Sequence, residues 1–191
     1  MPDLTPSALI AAILQEFTVV EFLSNAPTQY ALQLDGALLD PALPLVQQVR
    51  TGDHLVLLEK EAPIPPGAQR PSHALYLREQ NSGIVYPLPW VPAVIGRPDR
   101  DQPHNEWLAV NLTDHRSGVR VSRRHAQITE EQGQFYVASL SNNPTYLRQD
   151  ILTTEVTAEP QRLHHGDVII LERSYIALKF IVREASGNGQ M

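Results

Sequence analysis

The chain of 191 residues contains no cysteine. That excludes disulfides and thiolate metal sites, and it gives no sign of an oxidising compartment. No apolar run reaches the roughly 18 residues that a membrane-spanning helix needs, so no membrane insertion is expected. The opening MPDLTPSALIAAIL has no basic residue ahead of its apolar ones, unlike a secretory signal, and the cytoplasm is the expected compartment. No glycine-rich loop leads into a helix, which argues against a nucleotide-dependent enzyme. Seven histidines are present (His54, His73, His104, His115, His125, His164 and His165), but they are scattered, with no helical i,i+4 pair and no cysteine partner. No metal and no cofactor are expected. Glycine is outnumbered by proline, ten to sixteen, which favours many short elements and turns over long helices.

Positive charge is scarce at the N-terminal end. Residues 1–62 hold Arg50 and Lys60 against eight acidic residues, a net −6, whereas residues 63–191 hold thirteen of each sign. The two parts are electrostatically different objects. Between Arg97 and Arg124 lie six arginines against Asp99, Asp101, Glu106 and Asp114. This local excess suits a small anionic ligand, not nucleic acid, which normally demands a broad basic face.

What is present divides at the segment APIPPGAQRP, where Pro63, Pro65, Pro66, Gly67 and Pro71 predict a semi-rigid extended linker. Before it, residues 5–17 read as a helix with Thr5 as N-cap, Pro6 at the first helical position, and Leu9, Ile10, Ile13, Leu14 and Phe17 on one face. Strands are expected over residues 29–34 and 54–58, with Asp35-Gly36 as a turn between them. After the linker come nine short alternating runs with no helical period: 73–78, 84–88, 93–95, 107–112, 125–129, 134–140, 145–147, 168–171 and 175–182. Separated by turn residues, they predict an all-β sandwich. The last residues, 185–191, are polar and expected to be disordered.

Within the second part, VSRRHAQI (Val121 to Ile128) couples a turn carrying Ser122, Arg123 and Arg124 to a strand with one buried face. A hydroxyl, a fork of arginine donors and backbone N–H groups at a strand's mouth are what a doubly charged phosphate needs. Upstream is VIGR, Val94 to Arg97; downstream are NNPTYL, Asn142 to Leu147, and LHHGDVIIL, Leu163 to Leu171. With these stretches in this order, residues 73–184 resemble a forkhead-associated (FHA) domain, the phosphothreonine-binding β-sandwich. The resemblance implies that Arg97 contacts the phosphate, that the Ser122 hydroxyl binds a phosphate oxygen, and that Arg123 reaches the same group. It implies that Asn143 bonds the ligand backbone, that Asn142 occupies the place of a hydroxyl that donates to the phosphate, and that Pro144 stands where the family has glycine. Gly96 (at a tight turn), His125 and Thr145 are implied as structural supports, and Arg124 is expected to face solvent. The Asn-Gly usual after the following strand is replaced by Arg148 and Gln149.

The order of helix, YALQLDGALL and TGDHLVLLE resembles the later two-thirds of a ubiquitin-like (β-grasp) module. That family opens with a hairpin that is absent here, so either the hairpin has been lost or the chain begins late. The expected whole is mainly β: a ubiquitin-like α+β module at 1–61, a linker at 62–72, an FHA β-sandwich at 73–184 and a tail. The expected function is that of a non-enzymatic adaptor. It would bind a phosphothreonine-containing protein or peptide downstream of a Ser/Thr protein kinase, with a second protein partner for residues 1–61. The competing expectation is an assembly protein whose sandwich oligomerises without reading phosphate. A hydrolase using Ser122 and His125 is rejected, since no orienting acid or oxyanion donor accompanies the pair.

Overall fold

The computed structural model describes residues 4–99, 101 and 105–183; the tail expected at 185–191 and His104 lie outside the described residues. Two compact units are present, Met1–Ala62 and Pro63–Met191. Among the described residues no helix is long and apolar enough to cross a membrane.

In the first unit, helix α1 spans Pro6–Glu16, capped by Thr5, whose side chain accepts from the Ala8 N–H at 3.3 Å. Helix α1 buries Ile10 and Leu14 against Tyr30 and Leu32. Those two residues belong to β1 (Tyr30–Leu34), which turns into β2 (Ala37–Leu38) through Asp35 and Gly36, at φ 50° and 86°. Successive left-handed residues give the turn whose twist matches a hairpin, and glycine takes that conformation without a Cβ clash. Strand β3 (Leu55–Glu59) pairs antiparallel with the other side of β1, so the sheet order is β2-β1-β3 and β3 is outermost. Strand β2 was not legible in the sequence because both its residues are exposed; nothing alternates.

The second unit runs β4 (Ala74–Glu79), β5 (Val85–Pro87), β6 (Ala93–Gly96), β7 (Leu108–Asn111), β8 (Arg124–Glu131), β9 (Gln134–Ser139), β10 (Thr145–Gln149), β11 (Leu152–Glu155), β12 (Gln161–Leu163), β13 (Val168–Leu171) and β14 (Ile176–Arg183). Among the described residues these form a six-stranded sheet, β11-β10-β13-β14-β4-β5, and a five-stranded sheet, β12-β9-β8-β6-β7. All neighbours are antiparallel except β6 and β7, which are parallel. Both sheets feed one core: Leu77, Ile169, Leu178 and Phe180 from the first meet Ile95, Ala126, Ile128 and Val137 from the second. Phe135 and Phe180 join the layers edge to face, their centroids 5.5 Å apart. Each fully buried Leu, Ile, Val or Phe side chain contributes roughly 1.5–3 kcal/mol, which fixes the loops that leave the strand ends.

Strands β11 and β12 escaped the sequence reading; they are short, and Leu152–Glu155 has no buried residue. The hairpin from β10 to β11 turns at Asp150, with φ 50°, and Ile151. Aspartate tolerates the left-handed region, so the missing Asn-Gly is replaced by a turn two residues further on.

The proline-rich segment, expected as a semi-rigid extended linker between the parts, is instead attached to the second unit. Gln69 and Val91 exchange both backbone hydrogen bonds, at 2.9 and 2.8 Å, Pro65 is buried, and Gly67 lies against the Trp107 ring. Composition reports stiffness; it does not report that a backbone bridge is available. A fragment of residues 63–183 is therefore expected to melt in one cooperative transition. A fragment starting at residue 73 should melt about 8 °C lower, having lost two backbone bonds at about 1 kcal/mol each. Scanning calorimetry of the two fragments checks this, and equal midpoints would show that the bridge contributes nothing.

Candidate phosphate-binding site

Three chain segments meet at one end of the five-stranded sheet: the residues after β6, the turn before β8 and the loop from β9 to β10. Strands β6, β8 and β9 are neighbours, with Gly96 opposite Arg124 and Ala126 opposite Ser139. Gly96 is buried and does not adopt a left-handed conformation. A Cβ there would overlap the Arg123 carbonyl oxygen and sit 2.9 Å from the Ser122 carbonyl oxygen. The tight-turn role expected of Gly96 is thus replaced by a packing role: only glycine lets the two backbones approach, and the Arg97 N–H then donates to the Arg123 carbonyl at 3.1 Å.

That contact places the functional side chains together. The Arg97 Nε donates to the Val121 carbonyl at 2.7 Å, so the guanidinium is anchored through one nitrogen. Its two terminal amino groups make no hydrogen bond among the described residues. Ser122 is held at both ends: its N–H donates to His125 Nδ1 at 3.2 Å, and its hydroxyl accepts from Asn143 Nδ2 at 2.8 Å. The serine proton therefore remains available to a ligand. Arg123 is largely exposed, and its Nε is 3.0 Å from the buried carboxylate of Asp99. Asn143 is fixed from both sides, its N–H donating to Ser141 Oγ at 3.2 Å and its carbonyl accepting from the buried Thr145 hydroxyl at 3.5 Å.

Arg97, Ser122, Arg123 and Asn143 line a single open pocket of about 590 Å³, together with Val119, Arg120, Val121, Arg124 and Leu140. Asn142 is not among its walls; it lines the neighbouring groove. Arg124 also departs from expectation. Instead of facing solvent, its guanidinium donates to the Arg97 carbonyl at 3.3 Å, to the Arg123 carbonyl at 3.0 Å and to Asn105 Oδ1 at 3.3 Å. It braces the loops that carry the other two arginines. Arg120 and Asp99 were counted in the sequence only as local charge. The position of Arg120, on the 3₁₀ turn Gly118–Arg120 just before Ser122, is the signal that could have singled it out. Charge-assisted bonds to an anion are roughly twice as strong as neutral ones, and four guanidinium groups surround this pocket. Among the described residues no group of three or more His, Asp or Glu side chains could hold a metal ion.

His125 is buried, and burial lowers its pKa to about 4. Accepting the Ser122 N–H at Nδ1 requires a ring unprotonated there, and Nε2 is buried without a hydrogen-bond partner among the described residues. The ring contacts the serine amide, not its hydroxyl, so this pair is not arranged as nucleophile and base. Because the folded value lies below the usual one near 6.5, the unfolded chain takes up the proton first as pH falls. The stabilisation is complete above about pH 6.5 and is lost progressively towards pH 4, on the order of 3 kcal/mol in all. Melting temperature followed between about pH 7 and pH 4.5 should fall more steeply in the native chain than in His125→Gln; parallel slopes would show that the ring is not kept neutral by the fold.

The model of the FHA domain family matches residues 93–172, from β6 through the end of β13. No curated protein matches the chain. Among solved structures, one from a study of phosphothreonine-dependent FHA domain interactions is 24% identical, covers 59% of this chain and 99% of its own, and has a TM-score of 0.43. Mycobacterium tuberculosis EmbR in complex with a low-affinity phosphopeptide is 21% identical over 61% of this chain and 26% of its own, TM-score 0.45. The FHA domain of an Arabidopsis thaliana hypothetical protein is 20% identical over 65% of this chain and 99% of its own, TM-score 0.45. The second unit of this chain carries an FHA domain, matched over residues 93–172.

Proposed function

We propose that the chain binds phosphothreonine-containing segments of a partner protein and acts as an adaptor, not an enzyme, downstream of a Ser/Thr protein kinase. The observation that carries this reading is the convergence of Arg97, Ser122, Arg123 and Asn143 on one open pocket. Each is anchored by hydrogen bonds or an ion pair while another of its polar groups is left for a ligand. A phosphoryl group brings about −1.5 to −2 charges and three acceptor oxygens, which matches two guanidinium groups and a hydroxyl. Asn143, with its amide oxygen uncommitted, is placed to bond the ligand backbone.

The assembly-only alternative drew on Asn142 and Pro144. Asn142 lines the neighbouring groove and not the pocket, so in this reading the phosphate is held by the other residues. The Pro144 carbonyl accepts from the Glu172 N–H at 3.2 Å, which ties the loop to the other sheet without a left-handed residue. Both departures are compatible with a working site. Residues 1–61 are read as a ubiquitin-like module supplying a second protein contact. The supports are that β3 is an outermost strand with Val56 half exposed, and that the region is strongly acidic.

Calorimetry with paired peptides tests the central claim. The phosphothreonine peptide should bind, and the bare threonine peptide should show no measurable binding, because charge-assisted bonds of about 1.5–3 kcal/mol each are lost; equal affinities would sink the reading. Arginine roles are separable in the same assay. Arg97→Ala should weaken binding by about 2–4 kcal/mol, because it removes an anchored guanidinium from the phosphate. Arg124→Ala should cost under about 1 kcal/mol, because that side chain acts through backbone carbonyls. Similar losses in two variants with native melting temperatures would show that the phosphate had been assigned to the wrong arginine.

A further inference from the structure

The phosphate pocket does not end at Asn143. Leu140 and Asn143 are shared with a second groove of about 590 Å³, whose other walls include Asn142, Pro144, Glu155 and Thr157. Leu140, 41% exposed, forms an apolar ridge between the two. The groove is preformed: the Ser139 N–H donates to the Thr157 carbonyl and the Val156 N–H to the Thr145 carbonyl, both at 2.7 Å, tying the loop after β11 to β9 and β10.

Charge changes sign across the ridge. On one side four arginines line the pocket, backed by the single carboxylate of Asp99. On the other, Glu155 is the sole charged residue of the wall. It is exposed, and its carboxylate has no hydrogen-bond or ion-pair partner among the described residues. Glu159 follows on the same loop, outside the groove, and adds to the same sign. An extended chain whose phosphorylated residue sits among the arginines and which crosses Leu140 therefore passes from a positive to a negative field. Complementary potentials of this kind select partners and fix register more than they add affinity.

We propose that this groove is a subsite for a cationic side chain, and that the ligand is a bipolar segment with phosphothreonine at one end and a lysine or arginine where it leaves across Leu140. The inference rests on the phosphothreonine reading above and adds the ligand's charge pattern. Glu155 is its specificity-determining residue. An exposed ion pair corresponds to a preference of about two- to fivefold.

The test uses the full chain and phosphothreonine peptides in which each flanking position in turn is lysine, alanine or glutamate, with binding followed by fluorescence polarisation. One position should prefer lysine over alanine about two- to fivefold and disfavour glutamate. In Glu155→Gln that preference should vanish, and in Glu155→Lys it should reverse at the same position. Native melting temperatures are expected for both variants, since the side chain is exposed. If phosphorylated peptides bind and no position prefers lysine, or if the preference survives in Glu155→Gln, the subsite is overturned while the phosphothreonine reading stands. If no phosphopeptide binds, both fall together.

Discussion

The site depends on one backbone approach. Strand β6 can end against the turn before β8 only because residue 96 has no Cβ; any side chain would collide with the Arg123 carbonyl, and a backbone atom cannot swing away as a flexible side-chain tip can. From that contact follow the Arg97 N–H bond to Arg123, the seating of the Arg97 Nε on Val121 and the position of Ser122 one residue away. Gly118 makes a comparable approach to the Leu112 and Thr113 carbonyls, so the turn that brings in Arg120 is set by the same device.

Around that frame, the protein satisfies part of each cationic or polar group and leaves the rest. Four guanidinium groups this close repel one another, and the structure offsets this with acceptors: the carbonyls of Val121, Arg97 and Arg123, the amide oxygen of Asn105 and the buried carboxylate of Asp99. None of these acceptors consumes both terminal amino groups of Arg97. A site that holds its donors in place before the ligand arrives loses less side-chain entropy on binding. His125 belongs to the same economy. Its ring takes the Ser122 amide and must stay neutral to do so, and the surrounding apolar core keeps it neutral.

The departures from the FHA pattern fall where the fold can absorb them. Asn142 lines the second groove and not the arginine-lined pocket. Pro144 sits at a point where the chain needs an acceptor for Glu172 but no left-handed residue. The lost Asn-Gly is made good by Asp150. In each case a local change of residue left the contact that holds the loop to a sheet intact.

Much of this was legible in the sequence. The alternation of Ala126 and Ile128 against Gln127 and Thr129, the Thr5-Pro6 helix start and the Asp35-Gly36 turn are local signals, set by the chain's own period and dihedral preferences. The resemblance to the FHA family carried by VIGR, VSRRHAQI and NNPTYL likewise pointed to Arg97, Ser122, Arg123 and Asn143. Tertiary structure alone decided the rest. It decided that Gly96 is there for interstrand packing, that Arg124 braces backbone carbonyls, that Asn142 lies across a ridge from the arginine-lined pocket, and that Gln69 clips a proline-rich segment onto the sandwich. The Gly96–Arg123, Arg124–Arg97 and Gln69–Val91 contacts each join residues more than 20 apart in the chain, and neither period nor composition carries information about such pairs. They are fixed only when the two sheets close on their common core.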